Sequence, residues 1–238
     1  MWADPQDSLG LLAAGTYEAF EVELFESLIR PGDVVVDLGA NIGQHTLCFA
    51  RAVGPEGQVF AFEPDPENHA LLQRNAAANG YSNIVAEQKA VSDSTGTLRL
   101  FQSKTNRGDH RIYDSDDGRP SVEVPVIRLD DYFSNHHRPI SFVKMDIQGA
   151  EYAALQGMHD VLQRNPDMRL FIEYWPWGLK RAGVEAQDLL SLLLDHGFGL
   201  QEVDGRKGTI QAVSPSELLE AYSPDNPSYT NLLCVRQQ

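Results

Sequence analysis

Val34–Ala50 reads VVVDLGANIGQHTLCFA. Three valines open the stretch, an acid and a leucine follow, and glycines stand on either side of Asn41 before the pattern turns helical. A short valine-rich run reads as a buried strand, and glycines give the backbone the freedom a tight turn needs. The segment therefore predicts a strand over Val34–Leu38, a turn, and a helix from about Ile42 to Val53. The order D-x-G-x-N-x-G (Asp37, Gly39, Asn41, Gly43) departs from the G-x-G-x-x-G of dinucleotide-binding turns. A carboxylate just before the first glycine adds negative charge where a pyrophosphate already carries it. A ligand with a cationic end reverses that preference.

Outward from this unit the chain alternates. A helical pattern from about Gly15 to Leu28 precedes it and stops at Pro31-Gly32; strand QVFAFEP, helix Pro66 to Asn79 and strand IVAEQKAV follow it. Repeated strand and helix units predict a parallel sheet with right-handed crossovers and helices on both faces, an α/β doubly wound fold. SDSTGTLRLF reads as an extra strand, and residues 102–121 form a polar loop long enough to be a binding loop. Strands VEVPVIRLDDYF, ISFVKMDI and MRLFIEYW come next, with a helix from about Glu151 to Gln163 between the last two. The final third holds helix EAQDLLSLLLDHG and strand-like FGLQEV and NLLCVR. No linker or repeat interrupts the pattern, so residues 1–238 are expected to form one domain, with 1–30 as a helical lid or interface segment.

With 238 residues, 42% of them hydrophobic, the chain is long enough for a full core. A formal charge of −15 opposes nucleic-acid and anionic-membrane partners, whose binding is driven by Lys and Arg. The start, MWADPQDSLG, has no basic region followed by an apolar run, and no stretch is apolar enough to span a bilayer. The expectation is a soluble, cytoplasmic protein. Cys48 and Cys234 lie far from any Cys/His cluster and are expected as buried free thiols.

S-adenosylmethionine has the required cationic end, an ammonium and a sulfonium, so Asp37 is a candidate to attract it while the backbone of Gly39, Ala40, Asn41 and Gly43 accommodates the carboxylate. Glu63 ends the second strand, where an acid accepts hydrogen bonds from ribose hydroxyls, a use shared with NAD-binding folds. Asp65 before Pro66 reads as a helix cap. Ala90 and Val91 offer a small apolar surface to an adenine, or pack in the core.

With VVVDLGANIGQHT, FAFEPDPENHALLQRN, AVSDSTGTLRLF and VKMDIQGAE in this order, the chain resembles the FkbM family of S-adenosylmethionine-dependent methyltransferases over roughly Pro31 to Trp175. The resemblance implies a seven-stranded class I methyltransferase sheet with an antiparallel final insertion, and methyl transfer commonly to oxygen of sugars or natural products. It matches Asp37, Gly39, Asn41 and Gly43 to the donor loop, Glu63 to the ribose acid, Asp146 to the acid ending the fourth strand and Glu151 to the acid opening the next helix. One departure is Gln148, where the family often has glutamate; losing that anionic ligand weakens any divalent-metal proposal, and no metal is expected.

Methyl transfer is an in-line displacement, so positioning dominates and a general base assists a neutral hydroxyl. Candidate acids at the carboxyl edge of the sheet are Asp146 and Glu173. Lys144 shares a strand side with Asp146, as a catalytic group or a structural ion pair. His110, in the long loop, is a candidate base or acceptor anchor, with solvated loop histidine as the alternative. Asn106 and Arg111 beside it, His45 after the glycine turn and Trp175 with Trp177 are candidate acceptor contacts. The expected acceptor is a small molecule or carbohydrate. Methylation of nitrogen in a peptide-like metabolite, a non-catalytic donor-binding subunit and a homodimer all stay open; an NAD-dependent oxidoreductase is disfavoured by Asp37 and the glycine spacing.

Overall fold

The computed structural model describes residues 18–236. Its larger sheet contains β1 (Val34–Leu38), β2 (Gln58–Phe62), β3 (Ile84–Glu87), β7 (Phe142–Met145), β8 (Arg169–Tyr174), β9 (Phe198–Asp204), β10 (Thr209–Ala212) and β11 (Thr230–Arg236) in the order β10-β9-β11-β8-β7-β1-β2-β3. The strands from β3 to β8 are parallel. β11 inserts antiparallel between β8 and β9, as the resemblance implied. The sheet has eight strands rather than the expected seven. The eighth, β10, pairs antiparallel with β9, and its residues are mostly exposed, so no buried alternation marks it in the sequence.

A second sheet holds β4 (Ala90–Val91), β5 (Gly96–Phe101) and β6 (Ser121–Ile127) in the order β4-β6-β5. Ala90 and Val91 therefore do not close the third strand of the main sheet; they leave it and pair in parallel with Val126 and Ile127. The helix expected over Glu151 to Gln163 is two, Glu151–Gln156 and His159–Arg164. Gly157 lies at the break, where a Cβ would stand 2.0 Å from the Ser92 carbonyl oxygen. A short helix, Pro215–Ala221, was not expected, although its Ser214/Glu217 capping box is visible in SPSE.

Strand alternation sorts the core. Val34, Val36 and Leu38 join Phe60, Phe62, Val143, Met145, Leu170 and Ile172 in one cluster; Val35 joins Val59, Phe142 and Phe171 in another. Both sheet faces are covered, which is why β1 is buried at all five positions. The helix Ala19–Leu28 covers the second face, with Phe25 edge-on to Phe49, Phe142 and Phe171 at 5.2, 5.6 and 4.8 Å. The described part of the N-terminal segment packs as a helix on the core; residues 1–17 of the lid or interface segment expected there lie outside the described residues. Cys48 and Cys234 are free. Among the described residues no helix is long and apolar enough to cross a membrane.

Candidate active site

The same alternation that puts Val35, Phe142 and Phe171 on one face carries Asp37, Lys144 and Glu173 to that face, two residues further along parallel strands. Asp37 is in register with Lys144, and Glu173 with Asn231 of β11. A polar patch thus caps an apolar face at the carboxyl ends of the strands. Next to it opens a cleft of about 240 Å³, lined among others by the Asp37–Ile42 turn, Glu63, Ala90, Val91, Asp146 and Glu173.

The turn after β1 uses three left-handed residues, Gly39 (φ 77°), Asn41 (φ 50°) and Gly43 (φ 93°). The absent Cβ atoms of the two glycines make room for the protein's own packing. A Cβ on Gly39 would stand 2.0 Å from the Asp146 carbonyl oxygen, and one on Gly43 would stand 2.5 Å from Leu72 Cδ1. Asn41 holds the left-handed conformation through a hydrogen bond from Ile42 N–H to its own Oδ1 at 2.7 Å.

Asp37 is fully buried. Its Oδ2 accepts from Thr46 Oγ1 at 2.6 Å, while Oδ1 lies 3.7 Å from Lys144 Nζ and has no hydrogen-bond partner among the described residues. Burial works against the charge on Lys144, but the Asp37 and Asp146 carboxylates outweigh it and leave its pKa raised. Lys144 therefore pairs with both acids, at 3.7 and 3.9 Å.

Glu63 accepts from Asn41 N–H at 2.8 Å and from Asp65 N–H at 2.9 Å. Burial nevertheless pushes its pKa up to about 7, because desolvation outweighs the two backbone donors. Asp65 caps the helix Pro66–Ala78 through Glu67 and Asn68 N–H, as expected, and also accepts from Gln102 Nε2 at 2.5 Å. The apolar part of the cleft comprises Phe62, Ala90, Val91, Leu100 and Ile112.

At the other end, Gln148 sits in a left-handed conformation (φ 55°) and its Nε2 donates to Asp146 Oδ1 at 2.8 Å and Glu173 Oε2 at 3.0 Å. Glu173 is held well above the usual carboxylate range by burial and then by the nearby Asp146 and Glu151 carboxylates. Glu151 points away into its own turn, accepting from Ile147 and Gly149 N–H at 3.0 Å each, with burial pushing it up to about 7. Among the described residues no group of His, Cys, Asp and Glu is arranged to hold a metal ion.

The long loop lies over the donor turn. The Arg107 carbonyl accepts from Asn41 Nδ2 and Asn68 Nδ2 at 3.2 and 3.1 Å, and its guanidinium reaches Glu67. His110 and Asn106 line the cleft. His110 Nδ1, however, accepts from Ser103 N–H at 3.0 Å, which places the ring proton on Nε2, 3.7 Å from Asp65 Oδ2. Burial lowers its pKa. The neutral ring has no free lone pair, which counts against the base role expected for it.

His45 lines the cleft with Nε2 3.3 Å from Glu18 Oε2 and its ring edge-on to Phe25. Arg111 and Trp175 do not line it. Arg111 is buried, bonded to Asp109 and Ser115, with its guanidinium 5.2 and 5.1 Å from the Trp175 and Trp177 rings; Trp175 Nε1 donates to the Pro227 carbonyl. They form a buttress behind the loop, not an acceptor wall. Tyr229 and Asn231, absent from the sequence reading, do line the cleft. The antiparallel sense of β11 brings its first residues beside the carboxyl end of β8, a neighbourhood that local sequence does not signal.

The site's chemistry suits S-adenosylmethionine. Asp37, which lines the cleft, keeps one buried carboxylate oxygen without a donor, Glu63 stands at the end of the next strand, and apolar residues line the cleft with it. Comparison with known proteins agrees. The Methyltransferase FkbM domain matches residues 37–200. The chain is 31% identical over 201 residues to methyltransferase sdnD of Sordaria araneosa, covering 70% of this chain and 73% of that one. It is 29% identical over 207 residues to the 31-O-demethyl-FK506 methyltransferase FkbM of Streptomyces tacrolimicus, covering 71% and 74%. The crystal structure of a SAM-dependent methyltransferase from Aquifex aeolicus shares the fold, with a TM-score of 0.50, 14% identity, and coverage of 99% of this chain and 100% of that one. The chain belongs to the FkbM family of S-adenosylmethionine-dependent methyltransferases.

Proposed function

We propose that the protein methylates a hydroxyl oxygen of a small-molecule or carbohydrate-like acceptor, in the cleft between the glycine turn and the Asp146–Gln148–Glu173 bridge. The observation that carries this reading is the bridge itself: two carboxyls of adjacent strands, joined by one amide, face the cleft whose other end suits the donor. Similarity to the Streptomyces 31-O-demethyl-FK506 methyltransferase favours oxygen over nitrogen.

When bound, S-adenosylmethionine supplies an activated methyl group with a neutral thioether as leaving group. Asp37 would hold the donor's ammonium end, and Lys144 keeps that carboxylate from standing unbalanced in the interior. Glu63 would take the ribose hydroxyls, the Gly39–Gly43 turn would present its backbone, and Ala90 and Val91 would contribute to the apolar wall against the base. Asp146, the more solvent-open acid with its side chain 42% exposed, accepts the acceptor hydroxyl's proton. Glu173, whose pKa is raised by burial and by the Asp146 and Glu151 carboxylates, orients the acceptor through a hydrogen bond. Gln148 holds the two acids apart in role and together in space. His110 positions the loop by linking Ser103 to the neighbourhood of Asp65, with Asn106 and His45 at the rim.

The test is transfer of labelled methyl from S-adenosylmethionine to a panel of hydroxyl and amine acceptors, with Asp146→Asn as the comparison. Label on hydroxyl acceptors, lost in the variant, supports the reading; label confined to amines overturns it.

A further inference from the structure

At the opposite edge of the sheet, before β7 begins, a second cavity of about 240 Å³ is lined by His136, His137, Arg138, Arg164 and Asn165, with no acidic side chain among its lining residues. In a chain of net charge −15 this is a local inversion of sign.

The two arginines are anchored by main-chain oxygens. Arg138 Nη2 donates to the carbonyls of Gly32 and Glu56 at 2.8 and 2.9 Å, and Arg164 donates through Nε and Nη2 to the carbonyls of Asp160 and Phe133 at 3.3 Å each. These bonds leave Arg138 Nε and Nη1 and Arg164 Nη1 without a protein partner among the described residues. A guanidinium fixed by some of its donors presents the others with little further loss of side-chain freedom. Asn165 is spent structurally, accepting from Ile140 N–H and donating to the Val161 carbonyl.

His136 packs edge-on against Phe60 and Phe133, with centroids 5.4 and 5.5 Å away, and its Nε2 is buried with no hydrogen-bond partner. A buried polar atom left unpaired is costly. Burial holds the His136 pKa below the ordinary value, and the charged or titratable groups facing the ring, Arg138, His137 and Arg164, all of one sign, add to that lowering. An anion in the cavity would accept from the free guanidinium donors, offset their positive charge and so favour protonation of the neighbouring His136 ring.

We propose that this cavity is a binding site for a phosphate-type oxyanion, remote from the methyl-transfer cleft. The overall negative charge favours a compact phosphate, free or carried by a small metabolite, over an extended polyanion.

The test follows the His136 ring proton by NMR across pH in the full chain, with inorganic phosphate or glucose 6-phosphate against chloride at equal ionic strength. Phosphate is expected to shift the resonance saturably and move the imidazole titration upward by about one pH unit. The response is lost in Arg138→Gln/Arg164→Gln protein whose S-adenosylhomocysteine affinity matches wild type. His136→Gln, which keeps both arginines, retains weakened phosphate binding by calorimetry. Tighter binding of the sugar phosphate identifies a metabolite ligand, and equal binding identifies the free ion. Titration curves identical in phosphate and chloride, or a response unchanged by the double substitution, overturn the proposal.

Discussion

Gln148→Glu replaces the amide that joins two acids with a third acid of the same shape. In the native protein Nε2 donates to Asp146 at 2.8 Å and to Glu173 at 3.0 Å, so the substitution turns two attractive contacts into repulsive ones. Two like charges ~4 Å apart repel by about 4 kcal/mol at an effective dielectric constant of ~20. Solvent screens part of this, because the Asp146 side chain is 42% exposed, and the raised pKa of Glu173 lessens the charge it carries. A net loss of about 2 kcal/mol near pH 8 remains. The sign with pH follows from linkage. Acids with a raised folded-state pKa contribute fully below their unfolded value of about 4.3, and their contribution fades as pH rises through the folded value. The penalty should therefore be small near pH ~5 and grow toward pH ~8. Urea denaturation of wild type, Gln148→Glu and the uncharged Gln148→Met at a series of pH values measures it. A Gln148→Glu penalty that is flat with pH, or no larger than that of Gln148→Met, refutes the reasoning.

Three further outcomes are expected. Glu63, pushed up to about 7 by burial, must ionise to accept two ribose hydroxyls, so S-adenosylhomocysteine affinity rises between about pH 6 and pH 8 and Glu63→Gln flattens that rise in calorimetry. Gly39→Ala forces a left-handed alanine and drives its Cβ to 2.0 Å from the Asp146 carbonyl, costing about 3 kcal/mol or more in thermal denaturation. Asp65→Ala removes a helix cap worth about 1–2 kcal/mol and the Gln102 contact, so hydrogen exchange should quicken in the loop that follows Gln102 as well as in the first turn of the helix Pro66–Ala78.

Legibility in the sequence followed the range of the interactions involved. The valine run, the glycine turn and the Asp65-Pro66 helix entry are written in adjacent residues and were readable, as was the alternation that builds the parallel sheet. β10 escaped because an exposed edge strand carries no buried face to give it a period. Ala90 and Val91 were placed at the cleft for the wrong structural reason, since pairing with β6 is decided more than thirty residues away in sequence. Arg111 and Trp175 invite an acceptor role by residue type and neighbourhood; only three-dimensional packing reveals that the guanidinium stacks over the indole behind the loop. The same limit applies to His110, whose chemistry turns on one hydrogen bond from Ser103 that no motif encodes.

Calorimetric titration of S-adenosylhomocysteine into wild-type protein, Asp37→Asn and Glu63→Ala tests the central assignment most directly, with NAD as the competing ligand. Saturable one-site binding of S-adenosylhomocysteine to wild type is expected, weakened at least tenfold by either substitution, as for a lost charged contact of about 1.4 kcal/mol or more, with no comparable binding of NAD. Equal affinity in all three proteins, or a preference for NAD, would contradict the placement of the methyl donor at the turn after β1.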